Sequence, residues 1–334
     1  AQTDSFVLVQ QGLTTPEALG TPGLQGLGIA DPAAAMVLID PPQANNQGTA
    51  ELFYPLEIPA GRAGVQPELI LGYSSEGGNG QTGLGWSLTA GEISIDTRWG
   101  GPRYLASEES ETYLLDGEQL APTAVRTTLL SRQADRVFTR RVEGAYERIR
   151  RMGAAPGEYW WEVTDKFGTR RFYGGTPEAG RDADAILATD GGNGFSWALK
   201  QIRDKSDNTA TFFYETVAGS GVGDHEQSIG RDLYLDRIEY TSTVLDCDDY
   251  FGRDAPRPDC DIPAWEIDIV RASELRESRR GDVQVNAMGG FLRVTSDLVR
   301  RIDINYIGAG APGDLHRRYE LRYTTGPFGK SLLS

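Results

Sequence analysis

The stretch ELFYPLEIPAGRAGVQPELILGYSSEGGNGQTGLGWSLTAGEISIDTRW, residues 51–99, decides the fold class. It holds three β-like runs, Leu52–Ile58, Glu68–Ser74 and Trp86–Ile95, separated by two breaker clusters. The first cluster, Pro59-Ala-Gly-Arg-Ala-Gly64, cannot continue a helix, and its glycines permit positive φ. The second, Gly77-Gly-Asn-Gly-Gln-Thr-Gly83 with Gly85 following, is denser still. Between them the residues alternate, Leu69 and Leu71 facing one way and Ile70 and Gly72 the other. Trp86 sits directly behind the glycines, where a large ring covers backbone that carries no side chains. These are the signals of a sheet turning corners.

Gly78, Gly80 and Gly83 also spell G-x-G-x-x-G after a predicted strand, the pattern of a dinucleotide-binding turn. That chemistry needs a helix next, so that its N-terminal amides meet the pyrophosphate. Here Leu84-Gly-Trp-Ser-Leu-Thr follows, with glycine and β-formers where the helix must begin. Tight-turn chemistry is the reading, and no nucleotide is expected.

The rest of the composition agrees. The chain has 334 residues with 41 Gly, 17 Pro and 14 Tyr but only 3 Met, which suits many strands and many turns. Helical candidates are few and short: Ala183–Ala188, and more weakly Arg271–Arg280. A net charge of −15 disfavours nucleic acid and anionic membrane surfaces as partners. The basic groups at Arg148–Arg151, Arg279–Arg280, Arg300–Arg301 and Arg317–Arg318 are short, scattered among strands, and read as solvated faces. No run approaches the roughly 20 apolar residues of a membrane helix. All-β is the expected class, an antiparallel meander or curved sheet.

The two cysteines, Cys247 and Cys260, bracket a loop dense in Asp and Pro. Two lone cysteines closing one polar loop favour a disulfide, and with it a secreted or extracellular location. Such a loop gains about 3 kcal/mol in the chain-entropy account. Zinc needs two more ligands, and His225 is far off in sequence. Asp246, Asp248, Asp249 and Asp261 in the same loop supply oxygen enough for Ca²⁺ but lack the order of a known calcium-loop motif. A disulfide-tied, solvated loop is preferred, and no other cofactor is expected.

Along the chain, residues 1–47 read as an extended, poorly structured lead-in with strand candidates at Phe6–Val9 and Ala35–Ile39. Residues 48–334 read as one β domain with a loop insertion at about 245–262. After Trp99 a meander is expected: Thr112–Leu115, an Asp116-Gly hairpin signal, then Arg136–Arg141, Arg148–Met152 and Tyr159–Thr164. An internal echo follows. Trp160-Trp-Glu-Val-Thr-Asp-Lys and Trp197-Ala-Leu-Lys-Gln-Ile-Arg-Asp-Lys each run an aromatic-led strand into a turn. Asp165 and Asp204 fit the first turn position; Gly168 and Asn208 are assigned the positive-φ position. Leu235–Tyr240 and Leu298–Tyr306 look like further strands of the same kind.

The ordered combination Pro59-x-Gly61-Arg62-x-Gly64, Pro67-Glu-Leu-x-Leu-x-Tyr-Ser74, Gly78-Asn79-Gly80 and Gly83-x-Gly85-Trp86-Ser-Leu resembles the SpvB/TcdB-type toxin N-terminal domain. That domain opens the B component of bacterial Tc toxin complexes and of relatives with Rhs/YD repeats. The hairpins at Asp165 and Asp204 resemble the Asp-x-x-Gly-Asn type of those repeats. The resemblance covers about residues 48–334 and implies the opening wall of a hollow β-shell, in a chain that is a piece of something longer. It implies as partners the remaining C-terminal part of the same polypeptide or a C-type Rhs subunit, and beyond them a Tc A-type translocation subunit. The stretches around Cys247–Cys260 and at Gly180–Gly194 lie outside the pattern and are expected to be surface loops.

Catalytic constellations are missing from the sequence. His225, in the Gly-rich polar stretch Gly219–Gly230, and His316, in Leu-His-Arg-Arg, read as surface or hydrogen-bonded histidines, and there is no G-x-S-x-G elbow. The carboxylate pairs Glu108-Glu109, Asp182/Asp184 and Asp248-Asp249 are ordinary in so acidic a chain and are weak grounds for a glycosidase. The ADP-ribosyltransferase of some relatives needs Ser-Thr-Ser and Glu-x-Glu, which Tyr240-Thr-Ser-Thr does not supply. The expectation is a non-enzymatic structural segment that encloses or presents a toxic payload. The alternative is an extracellular glycan- or receptor-binding module using Trp99, Tyr104, Trp160 and Trp161.

Overall fold

A computed structural model describes residues 2–5, 48–122, 130–221, 227–243, 263–308 and 313–334. The lead-in apart from Gln2–Ser5, the Cys247–Cys260 disulfide, its calcium candidates and His225 lie outside the described residues. Everything regular is β, apart from single 3₁₀ turns. The architecture is built around one strand, Gly194–Arg203, whose edge is shared by two different neighbours.

The N-terminal half of that edge pairs Ser196–Ala198 with Ser94–Glu92. From there the sheet runs antiparallel through Tyr113–Leu115, Glu118–Pro122, Asp135–Arg140, Arg148–Met152, Trp160–Thr164 and Arg170–Tyr173. Arg170–Tyr173 then pairs with Arg203–Leu199 on the opposite edge of the starting strand, closing an eight-stranded barrel. A barrel of about eight strands is filled by its own side chains, and here aromatic rings do most of the filling. Tyr113, Phe138, Trp161 and Trp197 are buried together, with the Tyr113–Trp161 centroids 4.8 Å apart and Trp161–Trp197 5.7 Å apart. The Trp197 indole donates to the Tyr159 carbonyl at 2.7 Å, so its one polar atom is satisfied.

The C-terminal half of the shared edge pairs Gln201–Arg203 with Thr211–Thr209. Among the described residues this branch stays open. It passes from Asn208–Ser220 to Ile229–Thr243, Trp265–Arg271, Val299–Tyr306 and Asp314–Glu320, all antiparallel, and Gln2–Ser5 lies parallel along Arg317–Glu320. The two branches part at Leu199. Its amide donates to the Gly91 carbonyl of the barrel branch at 3.1 Å, while its carbonyl accepts the Tyr214 hydroxyl of the wall branch at 2.8 Å.

A third, smaller sheet, Glu51–Pro55, Ile70–Ser74 and Trp86–Thr89, is laid against the wall. Leu69 and Leu71 are buried while Ile70 and Gly72 are not, as the alternation predicts. The Tyr319 hydroxyl accepts the Glu57 amide at 2.9 Å, and the Tyr240 hydroxyl donates to the Pro59 carbonyl at 3.1 Å. The first glycine cluster is thereby pinned to the wall. Gly61 is obligatory there, since a Cβ would fall 1.8 Å from the Val65 carbonyl oxygen.

Several expectations need correction. The run Trp86–Ile95 is not one strand but two, Trp86–Thr89 and Glu92–Ile95, belonging to different sheets. The break is at Gly91, whose φ of +105° is closed to L-residues. Ala183–Ala188 is helical only in a single 3₁₀ turn, Ala183–Ala185, after which the chain pairs Ile186–Ala188 with the shared strand, because Ile186 and Leu187 have a core to enter. The stretch Gly180–Gly194 is therefore partly sheet rather than a surface loop. Arg271–Arg280 leaves its strand in turns rather than a helix.

The echoed hairpins are real, but the second is off by one residue. Asp165 accepts the Phe167 and Thr169 amides at 2.8 and 2.9 Å, and Gly168 takes φ +87°. Asp204 does the same for Ser206 and Asn208 at 2.8 and 2.9 Å, so the positive-φ residue is Asp207 (+59°), not Asn208. Asn208 instead starts the return strand and donates its side-chain amide to Asp204 at 2.7 Å.

Replacing Gly91 by Ala forces a side chain into a backbone region that L-residues avoid. The expected cost is about 1–3 kcal/mol of unfolding free energy, read as a lower urea midpoint with the β-rich circular dichroism spectrum retained.

Candidate binding cleft at the sheet fork

Where the barrel and wall branches separate, they leave a cleft of about 690 Å³, closed on its third side by the small sheet. Its barrel wall carries Glu92, Ser94 and Ser196; its other wall carries Asp232, Arg293 and Thr295. The period-2 pattern of Glu92–Ile95 explains this: Ile93 and Ile95 point into the barrel, so Glu92 and Ser94 point out into the cleft. A second hollow of about 260 Å³ continues past Ser94 to Asp96, Phe195 and Met288, sharing Glu92, Asn286 and Arg293 with the first.

Charge in the cleft is unevenly satisfied. Asp232 is buried and takes Arg293 at 2.7 Å, the Thr295 hydroxyl at 2.7 Å and the Gln81 amide at 3.3 Å. Glu92 touches the cleft's solvent but is enclosed by both branches. That enclosure pushes its carboxyl above the usual range, the charges of Asp232 and Asp116 add to the rise, and Arg293 opposes it. Asp116 lies in the Asp-Gly turn anticipated from sequence, with φ +51° there and +83° at Gly117. One of its oxygens accepts the Glu92 amide at 2.9 Å.

The second glycine cluster forms the cleft's corner by a lock of its own. Asn79 donates to the Asp282 carbonyl at 2.6 Å and to its carboxylate at 2.9 Å; Arg280 donates to the same carboxylate at 2.9 Å and to the Gly80 carbonyl at 2.7 Å. The Ser331 amide and hydroxyl add two bonds of 2.7 Å each. Burial disfavours the charge on Asp282, yet Arg280 and Ser331 outweigh it and hold the carboxyl well below the usual range. Gly83 has φ +90° and Gly85 +80°, and a Cβ at Gly85 would meet the Tyr73 ring at 2.6 Å. The side chains of Asn79, Arg280 and Asp282 at this corner are thus spent on one another and on Gly80 and Ser331.

The barrel holds a comparable cluster. Arg151 is fully buried, clasps Glu109 at 2.5 and 2.7 Å, and lies 3.8 Å above the Tyr159 ring. Arg132 joins Glu111 at 2.8 Å and the Tyr159 hydroxyl at 2.9 Å. The basic groups read as solvated faces therefore include two buried arginines, Arg151, neutralised by the sequence-distant Glu109, and Arg280, neutralised by Asp282 two residues on. Alternation was the available signal, since Arg151 shares the inward face of its strand with buried Ile149.

Of the residues singled out from sequence, Pro59, Gly61, Gly64, Gly78, Asn79, Gly80, Gly83, Gly85 and Trp86 build the small sheet and its turns, while Arg62 is exposed. The proposed sugar-stacking aromatics do not converge: Trp161 is in the barrel core, whereas Trp99 is 86% exposed. Among the described residues no three His, Cys, Asp or Glu side chains gather as metal ligands would.

The sequence profile described as "SpvB: Salmonella virulence plasmid 65kDa B protein" matches residues 44–270. The chain belongs to the SpvB family. Curated relatives named "Mono(ADP-ribosyl)transferase SpvB", from Salmonella choleraesuis and Salmonella dublin, are 28% identical over 253 residues, 67% of this chain. The chain spans less than half of their length, the match covering 42% and 41% of them. In fold it is similar to the N-terminal domain of effector protein SpvB from Salmonella typhimurium, with TM-score 0.63 and 22% identity over 84% of this chain and 96% of that one. It is also similar to TcdB2-TccC3, with TM-score 0.65 and 20% identity, over 88% of this chain but 15% of that one. A Photorhabdus luminescens Tc holotoxin pore gives the same TM-score over 14% of its chain.

Two outcomes follow from the charges. Asp282→Asn leaves Arg280 buried without its counter-ion and is expected to cost about 3 kcal/mol at pH 7. Because the carboxyl of Asp282 is depressed, its contribution is present above the unfolded value near 3.9 and is lost as pH falls through the folded one. The gap between wild type and variant should therefore narrow below about pH 4 in urea titrations. Glu92→Gln has the opposite sign. A raised carboxyl favours the fold only below the unfolded value of about 4.3, so the variant should melt higher than wild type at pH 8 and alike at pH 4.

Proposed function

We propose that this chain is a non-enzymatic wall segment of a secreted Tc/Rhs-like toxin, part of a β-shell that encloses or presents a C-terminal toxic payload. The observation that carries this reading is the second branch of the fork. The barrel branch closes on itself and needs nothing more, but the wall branch is an open antiparallel sheet ending at Asp314–Glu320. Among the described residues, only the four of Gln2–Ser5 lie on the far side of that strand, in parallel. An open edge of backbone donors and acceptors calls for a covering strand, and a shell is one way to supply it. The fold's likeness to part of the TcdB2-TccC3 chain supports the same reading.

On this account the partners are the remaining C-terminal part of the same polypeptide or a C-type Rhs subunit, with an A-type translocation subunit acting on the assembled shell. Enclosure is the mechanism: continuous sheet keeps protease and solvent from the payload until the shell is opened. Limited proteolysis of the longer parent polypeptide tests it. The region beyond Ser334 should survive for as long as the β-shell does; digestion of that region first, with the shell intact, would refute the proposal.

A further inference from the structure

The fork cleft is not explained by a wall function. A wall needs no hollow of about 690 Å³ at its root, a volume in the range of ligand sites. Nor does it need two carboxylates, Glu92 and Asp116, lining that hollow without an ion-pair partner of their own among the described contacts.

Three features define what fits. First, the cleft is elongated, since two adjoining hollows share Glu92, Ser94, Asn286 and Arg293 and follow the strand Glu92–Ile95 to the turn at Arg98. Second, its lining mixes carboxylates (Glu92, Asp116), side-chain amides (Gln284, Asn286) and hydroxyls (Ser94, Ser196), with the exposed Phe53 ring at the rim. Thr82, buried in the corner, leaves its hydroxyl without a hydrogen-bond partner. Third, Glu92–Ile95 is hydrogen-bonded on both edges, to Ser196–Ala198 and to Tyr113–Leu115. An extended peptide recognised by strand addition finds no free ladder along this wall. Along this wall recognition falls to side chains that accept and donate in pairs, which is how vicinal hydroxyls are held, with an aromatic face for a sugar ring.

We propose that the fork cleft binds an oligosaccharide of neutral or amino sugars. Glu92 and Asp116 accept from ring hydroxyls or an amine, Asn286 and Gln284 supply matching donors, and Phe53 takes an apolar sugar face. Anionic sugars are excluded, because Arg293 is already committed to Asp232 and Arg98 to Asp96, and the other formal charges lining the cleft, Glu51, Glu92 and Asp116, are negative. The inference is independent of the shell: the wall can enclose a payload whether or not the cleft is filled.

Isothermal titration of the 334-residue chain with cellohexaose, mannohexaose, chitohexaose and its deacetylated form tests this, with a heparin hexasaccharide, 3′-sialyllactose and a hexalysine peptide alongside. At least one neutral or amino hexasaccharide should bind, and the two acidic sugars should not. Glu92→Gln and, separately, Asn286→Ala should weaken that binding by about tenfold or more, one buried hydrogen bond's share. Both positions carry small polar-to-polar or truncating changes at the cleft surface, and an unchanged circular dichroism spectrum confirms folding. Silence across the neutral and amino sugars overturns the proposal, as does equal binding of heparin. Binding of hexalysine alone, weakened by Glu92→Gln, also overturns it and makes the cleft a basic-peptide site.

Discussion

A β-strand offers each residue one partner per edge, and the whole molecule follows from how Gly194–Arg203 divides one of its edges. Its first half is given to Glu92–Ser94 and its second to Thr209–Thr211. Since the two partners cannot occupy the same edge, they diverge after Leu199. One leads round a closed barrel and the other along an open wall. The cleft is the space the divergence leaves, and the small sheet is what covers it.

That division is stabilised from both sides by polar groups that have left water. In the barrel, Arg151 and Glu109 satisfy each other beneath the Tyr159 ring. At the corner, Asp282 ties Asn79, Arg280 and Ser331, residues from three distant parts of the chain, into one contact. Buried ion pairs of this kind add little net stability over apolar packing, but breaking one partner is costly. Their effect here is to fix which segments meet. Glu92 differs, because it opens onto the cleft and has only the Ser196 hydroxyl and the field of Arg293, already bound to Asp232, to set against its charge.

The class of fold was legible because local signals agreed: alternation at Leu69–Gly72, the Asp116-Gly turn, and the repeated Asp-Lys hairpins at Asp165 and Asp204. The glycine cluster was read correctly as turns, since no helix follows Gly83. The fork was not legible. Trp86–Ile95 looks continuous in β-propensity, and only the φ demanded at Gly91 separates it into two sheets. Ring closure between Arg170–Tyr173 and Gly194–Arg203 depends on contacts that no local pattern encodes. The buried arginines were missed for a related reason. Charge suggests a surface, and only the partner carboxylates, more than 40 positions away for Arg151 and adjacent but folded back for Arg280, make burial tolerable.

The central claim is that barrel and wall are one cooperative body joined through the shared strand. Native-state hydrogen exchange resolved at Gly194–Arg203 tests it most directly. The amides of this strand should be among the slowest, opening only with global unfolding, and strands Arg148–Met152 of the barrel and Ile229–Thr243 of the wall should exchange with the same free energy. If the wall exchanges as a separate, weaker unit while the seam and barrel stay protected, the two branches are independent and the account is wrong.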